Sequence, residues 1–260
     1  MKTRNLMIAV TCVMLILSSL TWAGPVMVTI ENTAPSDGTR ITPVWVGFHD
    51  GTFDTFDEGF SASSNLEMLA EDGNPAGVAG SFTGQANGVI LGPVTVPGQP
   101  PIYHPGEMGS MTFNLDTSND VYFSFLSMVI PSNDAFIGNA DPTGIKVVDG
   151  GMLVPTTIDI FGHMVWDAGT EVNDEIPAHT PLLGQMTANT GVTENGIVHH
   201  HMGFIANGNI LSAFPGADLT ADDYHVARIK IEAAPVPEPT SLALLAVGAL
   251  ALGRKKLRIA

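Results

Sequence analysis

Cysteine is almost absent from this 260-residue chain, and its single example, Cys12, lies close to the N-terminus. One cysteine cannot form an internal disulfide, so no cross-link stabilises the fold. Cys12 also falls within an apolar N-terminal segment that we interpret below as a cleaved export signal. The exported protein therefore lacks both a disulfide and a cysteine nucleophile, and its core must hold it together, with a metal as the other available support.

Basic residues are equally scarce in the interior of the chain. All 26 acidic residues lie between Glu31 and Glu238, whereas only four of the 10 basic residues lie there, which leaves that interval with a net charge of −22. Such a field repels phosphate backbones and anionic lipid headgroups, so this composition excludes unaided binding of nucleic acid. Cations are the small partners that the charge favours.

Familiar catalytic motifs are missing as well. The sequence contains no Gly-x-Ser-x-Gly elbow, no His-Glu-x-x-His pair and no phosphate-binding loop. The run His199 to His201 suggests zinc, but neighbouring side chains on a strand point to opposite faces, so only His199 and His201 could share a metal. Asp50, Asp54 and Asp57 lack the spacing of an EF-hand loop, and we interpret them as a solvated turn.

Long apolar runs occur only at the two ends. At the N-terminus, Lys2 and Arg4 precede an apolar stretch from Leu6 to Leu20, and the small residue Ala23 follows. This order predicts a signal peptide over residues 1–23. The alternative, a membrane anchor, is disfavoured because the stretch is shorter than the roughly 20 residues of a spanning helix.

The C-terminal segment, residues 236–260, has three parts in a fixed order. Val236-Pro237-Glu238-Pro239 comes first, residues 240–253 are mostly apolar or small, and a basic cluster ends the chain. As a helix, residues 240–253 would be about 21 Å long against a hydrocarbon core near 30 Å, so this segment could only just span a membrane. We therefore expect a transient inner-membrane anchor with the basic end in the cytoplasm. An ordinary C-terminal anchor is the alternative.

This arrangement resembles the PEP-CTERM sorting signal of Gram-negative bacteria. The resemblance implies that an exosortase, a membrane cysteine protease, recognises and cuts the tail. It also implies a final location at the cell surface or in the extracellular matrix.

Between the two signals the chain reads as one all-β domain, residues 24–235. Short β-branched and aromatic runs alternate with turn residues, which predicts an antiparallel β-sandwich with strands at 26–32, 42–49, 110–115, 121–130, 156–162 and 225–232. The nearly continuous run at 121–130 fits a central strand. One short helix is predicted over residues 65–72, with Ser64 and Glu67 as a capping box and Gly73 at its end.

Three segments carry a second resemblance: "AEDGNP" (70–75), "SMVIPSNDAFIGN" (127–139) and "VWDAGTEVNDE" (165–175). They look like the spondin N-terminal domain. The resemblance implies an eight-stranded antiparallel sandwich, similar to calcium-dependent membrane-binding modules, with one calcium site at a loop end. Position by position, the resemblance implies that Asp134, Asp167 and Glu171 are the metal ligands. Asp174 and Glu175 are further candidates. Carboxylate oxygens are the ligands that Ca²⁺ prefers.

Together these features predict an exported, surface-sorted, non-enzymatic protein. Its calcium-loaded sandwich would serve adhesion or matrix association by binding extracellular polysaccharide or cell-surface components. A secreted hydrolase acting on extracellular polysaccharide is the alternative, because a pair of catalytic carboxylates cannot be recognised from sequence alone.

Overall fold

A computed structural model describes residues 24–84, 86–93 and 101–235. The predicted signal peptide (1–23) and the predicted sorting segment (236–260) lie outside these residues, and so does the expected transient anchor. In the described part of the chain, no helix combines the length and the apolar character needed to cross a membrane.

The described residues form thirteen strands. They are β1 (Val26–Asn32), β2 (Arg40–Ile41), β3 (Val44–His49), β4 (Ala86–Ile90), β5 (Met108–Phe113), β6 (Tyr122–Ile130), β7 (Ala135–Gly138), β8 (Val148–Asp149), β9 (Met152–Leu153), β10 (Thr156–Phe161), β11 (Trp166–Asp167), β12 (His199–His200) and β13 (His225–Ala233). Each of the six predicted strands is present, with both ends within two residues of the predicted bounds. The longest runs of alternating or continuous apolar residues therefore became strands, as expected.

All strand pairs in the two main sheets are antiparallel. The first sheet has the order β10-β13-β1-β5, and the second has the order β12-β11-β7-β6-β3-β4, with β2 also paired to β6. Strands β8 and β9 form a separate two-stranded ladder. The all-β sandwich predicted from the sequence is thus the architecture of the protein.

Side-chain alternation explains how the first sheet builds the core. Along β1, Val26, Val28 and Ile30 are buried while the residues between them are partly exposed, because successive side chains point to opposite faces of a strand. Strand β13 lies beside β1 over its whole length, from Val26 opposite Ala233 to Asn32 opposite Ala227. The first and last strands of the described domain are therefore neighbours in one sheet.

The second sheet is covered on both faces, which explains the nearly continuous apolar run of β6. Phe123, Phe125 and Val129 enter the core between the sheets, whereas Leu126 packs in a second cluster with Leu66 and Leu69 of helix α1 (Ser64–Asp72). A strand that is buried on both faces does not show the apolar-polar alternation of a strand with one face exposed to solvent. The prediction of a central strand at this position is confirmed.

The helices differ from the prediction in two respects. The N-cap of α1 is Ser63, one residue before the predicted Ser64, and its Oγ accepts a hydrogen bond from Leu66 N at 3.2 Å. Gly73 ends the helix as predicted, with the left-handed φ of 64° that favours glycine. Two further short helices, α2 (Ala76–Ser81) and α3 (Asn209–Ala213), and a 3-10 turn at Gly162–Met164 were not predicted.

Candidate metal centre

Two of the predicted ligands meet where β7 and β11 run side by side. Asp167 lies in β11 opposite Ala135 of β7, and Asp134 immediately precedes that residue. Glu171 follows β11 by four residues. The side chains are almost fully enclosed, with 0% of Asp134, 1% of Asp167 and 3% of Glu171 exposed. Charged carboxylates are seldom buried unless something compensates them, so three in one region call for an explanation.

Asp134 has one satisfied oxygen and one bare oxygen. Its Oδ2 accepts hydrogen bonds from Thr170 N (2.8 Å), Thr170 Oγ1 (3.2 Å) and Glu171 N (3.1 Å). Its Oδ1 is buried and has no hydrogen-bond partner. Burial, and then repulsion from Asp167, raise the pKa of Asp134 to about 7 despite these hydrogen bonds. Asp134 therefore combines an unpaired buried oxygen with repulsion from a second carboxylate.

The loop after β11 is shaped to hold the other two carboxylates. Asp167 Oδ1 accepts from Gly169 N at 2.8 Å, and Glu171 Oε1 accepts from Gly191 N at 2.9 Å. Gly169 has a φ of 65°, a conformation that glycine adopts without strain. At Gly191, a Cβ atom would lie 2.0 Å from Glu171 Oε2. Only glycine at position 191 leaves room for the Glu171 carboxylate where it lies. Burial raises the pKa of the Glu171 carboxyl group.

A fourth carboxylate, which the sequence did not single out, comes from helix α1. Glu71 is 5% exposed although it lies on a short surface helix. Burial raises the pKa of Glu71 to about 7, and repulsion from Glu171 adds to the rise. Glu71 belongs to the segment "AEDGNP" quoted above, but nothing in the sequence indicated that this acid, rather than its neighbour Asp72, is buried.

The two further candidates have partners of their own. The buried Glu175 accepts hydrogen bonds from Ile205 N at 2.7 Å and from Ile210 N at 3.1 Å, so it fastens the loop before α3. Asp174 lies 2.7 Å from His179 Nδ1. Both carboxylates therefore already contribute to the local structure without a metal.

The three consecutive histidines have different surroundings. The ring of His200 stacks on Trp166 with the centroids 3.9 Å apart, and His199 Nδ1 lies 2.9 Å from His200 O. His201 is 8% exposed, and its Nε2 is buried without a partner. Burial lowers the pKa of His201, and the negative charge of Asp167 opposes this effect. The imidazole therefore lies within electrostatic reach of the acidic residues.

The acids at Asp50, Asp54 and Asp57 differ from this cluster because they are exposed. Asp50 accepts hydrogen bonds from Thr52 N and Thr52 Oγ1 within its own turn. This geometry agrees with the interpretation as a solvated turn.

The donor set at the buried site suits a hard cation. Carboxylate and hydroxyl oxygens dominate, and the bare Oδ1 of Asp134 is the kind of atom that a cation satisfies. Over residues 24–84, 86–93 and 101–235, however, no three His, Cys, Asp or Glu side chains are close enough together to hold a metal ion. Backbone carbonyls, water or a small approach of the carboxylates would have to complete a coordination shell.

Comparisons with known proteins agree with both resemblances. A family model described as Spondin_N matches residues 28–178, and a model of the PEP-CTERM protein-sorting motif matches residues 235–258. A search of curated proteins gave no match. The first matched range includes Glu71, Asp134, Asp167 and Glu171, whereas the three histidines lie beyond its end.

Proposed function

This chain belongs to the Spondin_N family, and on that premise we propose that it is a non-enzymatic adhesion or matrix-associated protein whose sandwich binds calcium through Asp134, Asp167 and Glu171. The PEP-CTERM motif makes it an exported, surface-sorted protein and implies recognition by an exosortase. Before that step, the apolar run at residues 240–253 would hold the chain transiently in the inner membrane.

We treat the region between the two signals, residues 24–235, as one domain. The family match ends at residue 178, but β13 pairs with β1 on one side and with β10 on the other, and β12 pairs with β11. Removing the chain beyond the matched range would deprive three strands of a neighbour. This pairing supports a single folding unit, and limited proteolysis without a stable internal boundary would agree with it.

The bare Oδ1 of Asp134 is the observation that carries the calcium proposal. A buried carboxylate oxygen without a donor costs free energy, and its neighbour Asp167 increases that cost by repulsion. A bound dication converts this repulsion into attraction. Glu171 then acts as the third charged ligand.

Thermal unfolding in excess calcium and in chelator tests this proposal. A ligand that binds only the folded state at about 100 times its Kd adds about 2.7 kcal/mol to the free energy of unfolding. For a domain of this size the melting temperature should rise by several degrees, at roughly 2–4 °C per kcal/mol. Equal melting temperatures in the two conditions would contradict calcium binding.

Two matched substitutions locate the site. Asp167→Asn keeps the shape of a buried side chain but removes its charge, so we expect it to abolish most of the calcium-dependent shift. Asp57→Asn removes the same charge from an exposed turn and should leave the shift intact. If both variants respond to calcium alike, the acids act as a general negative surface and the assigned ligands are wrong.

The adhesive role rests on the family and on the sorting signal, and it has its own test. A screen of the purified protein against labelled extracellular polysaccharides should show saturable binding without turnover. Release of shortened sugar chains would instead assign the protein to the hydrolases.

A further inference from the structure

A groove of about 580 Å³ lies beside the C-terminal end of α1, on the outer side of the second sheet. Its floor is formed by Ile102, Met128 and Ile130, which make a small apolar cluster separate from the two larger ones. Leu182 and Met186, both exposed, stand along one wall. The volume falls within the range of pockets that take small organic ligands.

One end of the groove is negatively charged. Glu71 and Asp72 line it there, and none of the described residues around the groove is lysine, arginine or histidine. Asp72 Oδ1 also accepts a hydrogen bond from Asn189 N at 3.1 Å, which fastens the wall segment 181–188 to the helix end. The charge of the groove is therefore complementary to a cation, and the apolar floor lies next to that charge.

Four prolines make the walls unsuited to an extended peptide. Pro43, Pro75, Pro101 and Pro181 all line the groove, and proline has no backbone N–H to donate. A peptide backbone lying along such walls would lose hydrogen bonds to water without replacing them. An apolar chain without amide groups makes no such hydrogen bonds to water and therefore loses none on binding. The thioethers of Met128 and Met186 also adapt readily to chains of different shape.

We propose that this groove binds an amphipathic amine, with the ammonium group at Glu71 and Asp72 and the alkyl or aryl chain on the floor of Ile102, Met128 and Ile130. Burial of the chain supplies the binding energy, and the two carboxylates select the cation over a neutral or anionic molecule of the same shape. Glu71 is also repelled by Glu171 of the candidate metal centre, so amine binding must be measured both without and with calcium.

Three eight-carbon probes that differ in the head group test the charge selection. Titration calorimetry of the purified exported protein should show octylamine binding at least tenfold more tightly than octanoate, with octan-1-ol between them. Shortening the amine should weaken binding by about fourfold for each methylene removed. Measurements both in chelator and in calcium separate this site from the metal centre. Equal binding of amine and carboxylate, or no saturable binding of octylamine, would overturn the proposal.

Variants then place the probe in the groove. Glu71→Gln resembles the protonated carboxyl and should keep the fold while weakening octylamine binding about tenfold. Ala188→Trp, at an exposed position of the groove wall, should block the chain of every probe. Glu194→Gln removes an exposed acid elsewhere and serves as the control. Unchanged octylamine binding in both groove variants would refute the location. If a lysine-containing peptide binds there and the alkylamines do not, the groove is a peptide site and the amine assignment is wrong.

Discussion

Calcium affinity should depend steeply on pH between 6 and 8 if Asp134 is a ligand. Calcium binds the ionised carboxylate, whereas burial and the neighbouring Asp167 raise the pKa of Asp134 to about 7. Protons and calcium therefore compete for the same oxygens. An exposed calcium site built from ordinary carboxylates would show no such dependence in this range, because those groups are fully ionised above pH 6.

The size of the effect follows from that pKa. A carboxyl group with a pKa of about 7 is ionised in about one molecule in eleven at pH 6 and in about ten in eleven at pH 8. The apparent Kd for calcium should therefore fall about tenfold over this interval, which corresponds to about 1.4 kcal/mol. If Glu71, whose pKa is also raised to about 7, loses its proton on binding as well, the change approaches a hundredfold.

In chelator, where no calcium is bound, ionisation of Asp134 lowers the stability of the fold as the pH rises. The folded-state pKa of Asp134 lies above the ordinary value of 3.8, so its contribution to stability is present at low pH and is lost as the pH rises through about 7. His49 and His201 oppose this trend. Burial lowers the pKa of each, so their stabilising contribution is present above pH 6.5 and is lost as the pH falls through the lowered pKa. Comparison with Asp134→Asn isolates the carboxyl contribution.

Calorimetric titrations with calcium at pH 6, 7 and 8 measure the dependence directly. At pH 7, repeating the titration in buffers with different ionisation enthalpies should reveal the release of about half a proton from Asp134. Asp57→Asn, an exposed acid, should keep both the affinity and its pH dependence. A Kd that stays constant from pH 6 to pH 8, with no proton released, would show that calcium binds elsewhere or that Asp134 is already ionised.

Three further results are expected. Ser63→Ala removes the N-cap of α1 and should lower the free energy of unfolding by about 1 kcal/mol in denaturant titrations, and a change near zero would contradict the cap. Gly191→Ala places a Cβ atom where the Glu171 carboxylate lies and should remove most of the calcium-dependent rise in melting temperature. Mass spectrometry of protein extracted from the cell surface should find no residues after about Pro239, and peptides from the 240–253 run in most of that material would contradict sorting by cleavage.

The strands could be predicted because their signals are local. The longer predicted strands have either alternating apolar residues, as in β1, or a run that is buried on both faces, as in β3 and β6. Strands β2, β8, β9, β11 and β12 have only two residues each, which is too short for any period to be visible. They form where longer elements bring the chain together, so their position depends on tertiary contacts.

The candidate site could be predicted only through the family resemblance. Asp134 receives its hydrogen bonds from Thr170 and Glu171, residues 36 and 37 positions further along the chain. Glu71 precedes Asp134 by 63 positions and Glu171 by 100, and no local pattern distinguishes it from Asp72. Among 26 acids, burial is what separates the cluster from solvated turns, and burial is decided by packing at long range.

The scarcity of basic residues gives this burial its chemical meaning. Of the four basic residues between Glu31 and Glu238, Lys146 pairs with Asp149, Arg228 pairs with Asp159, and Arg40 donates to His104. Lys230 is exposed on β13 in the first sheet, whereas the acidic cluster belongs to the second. Asp134, Asp167, Glu171 and Glu71 thus lie in one region without an ammonium or guanidinium group of the described chain to neutralise them. Bound protons can neutralise these carboxylates, and burial raises the pKa of both Asp134 and Glu71 to about 7. An external dication can neutralise them as well. Its binding becomes more favourable as the pH rises, because fewer protons then compete for the same oxygens.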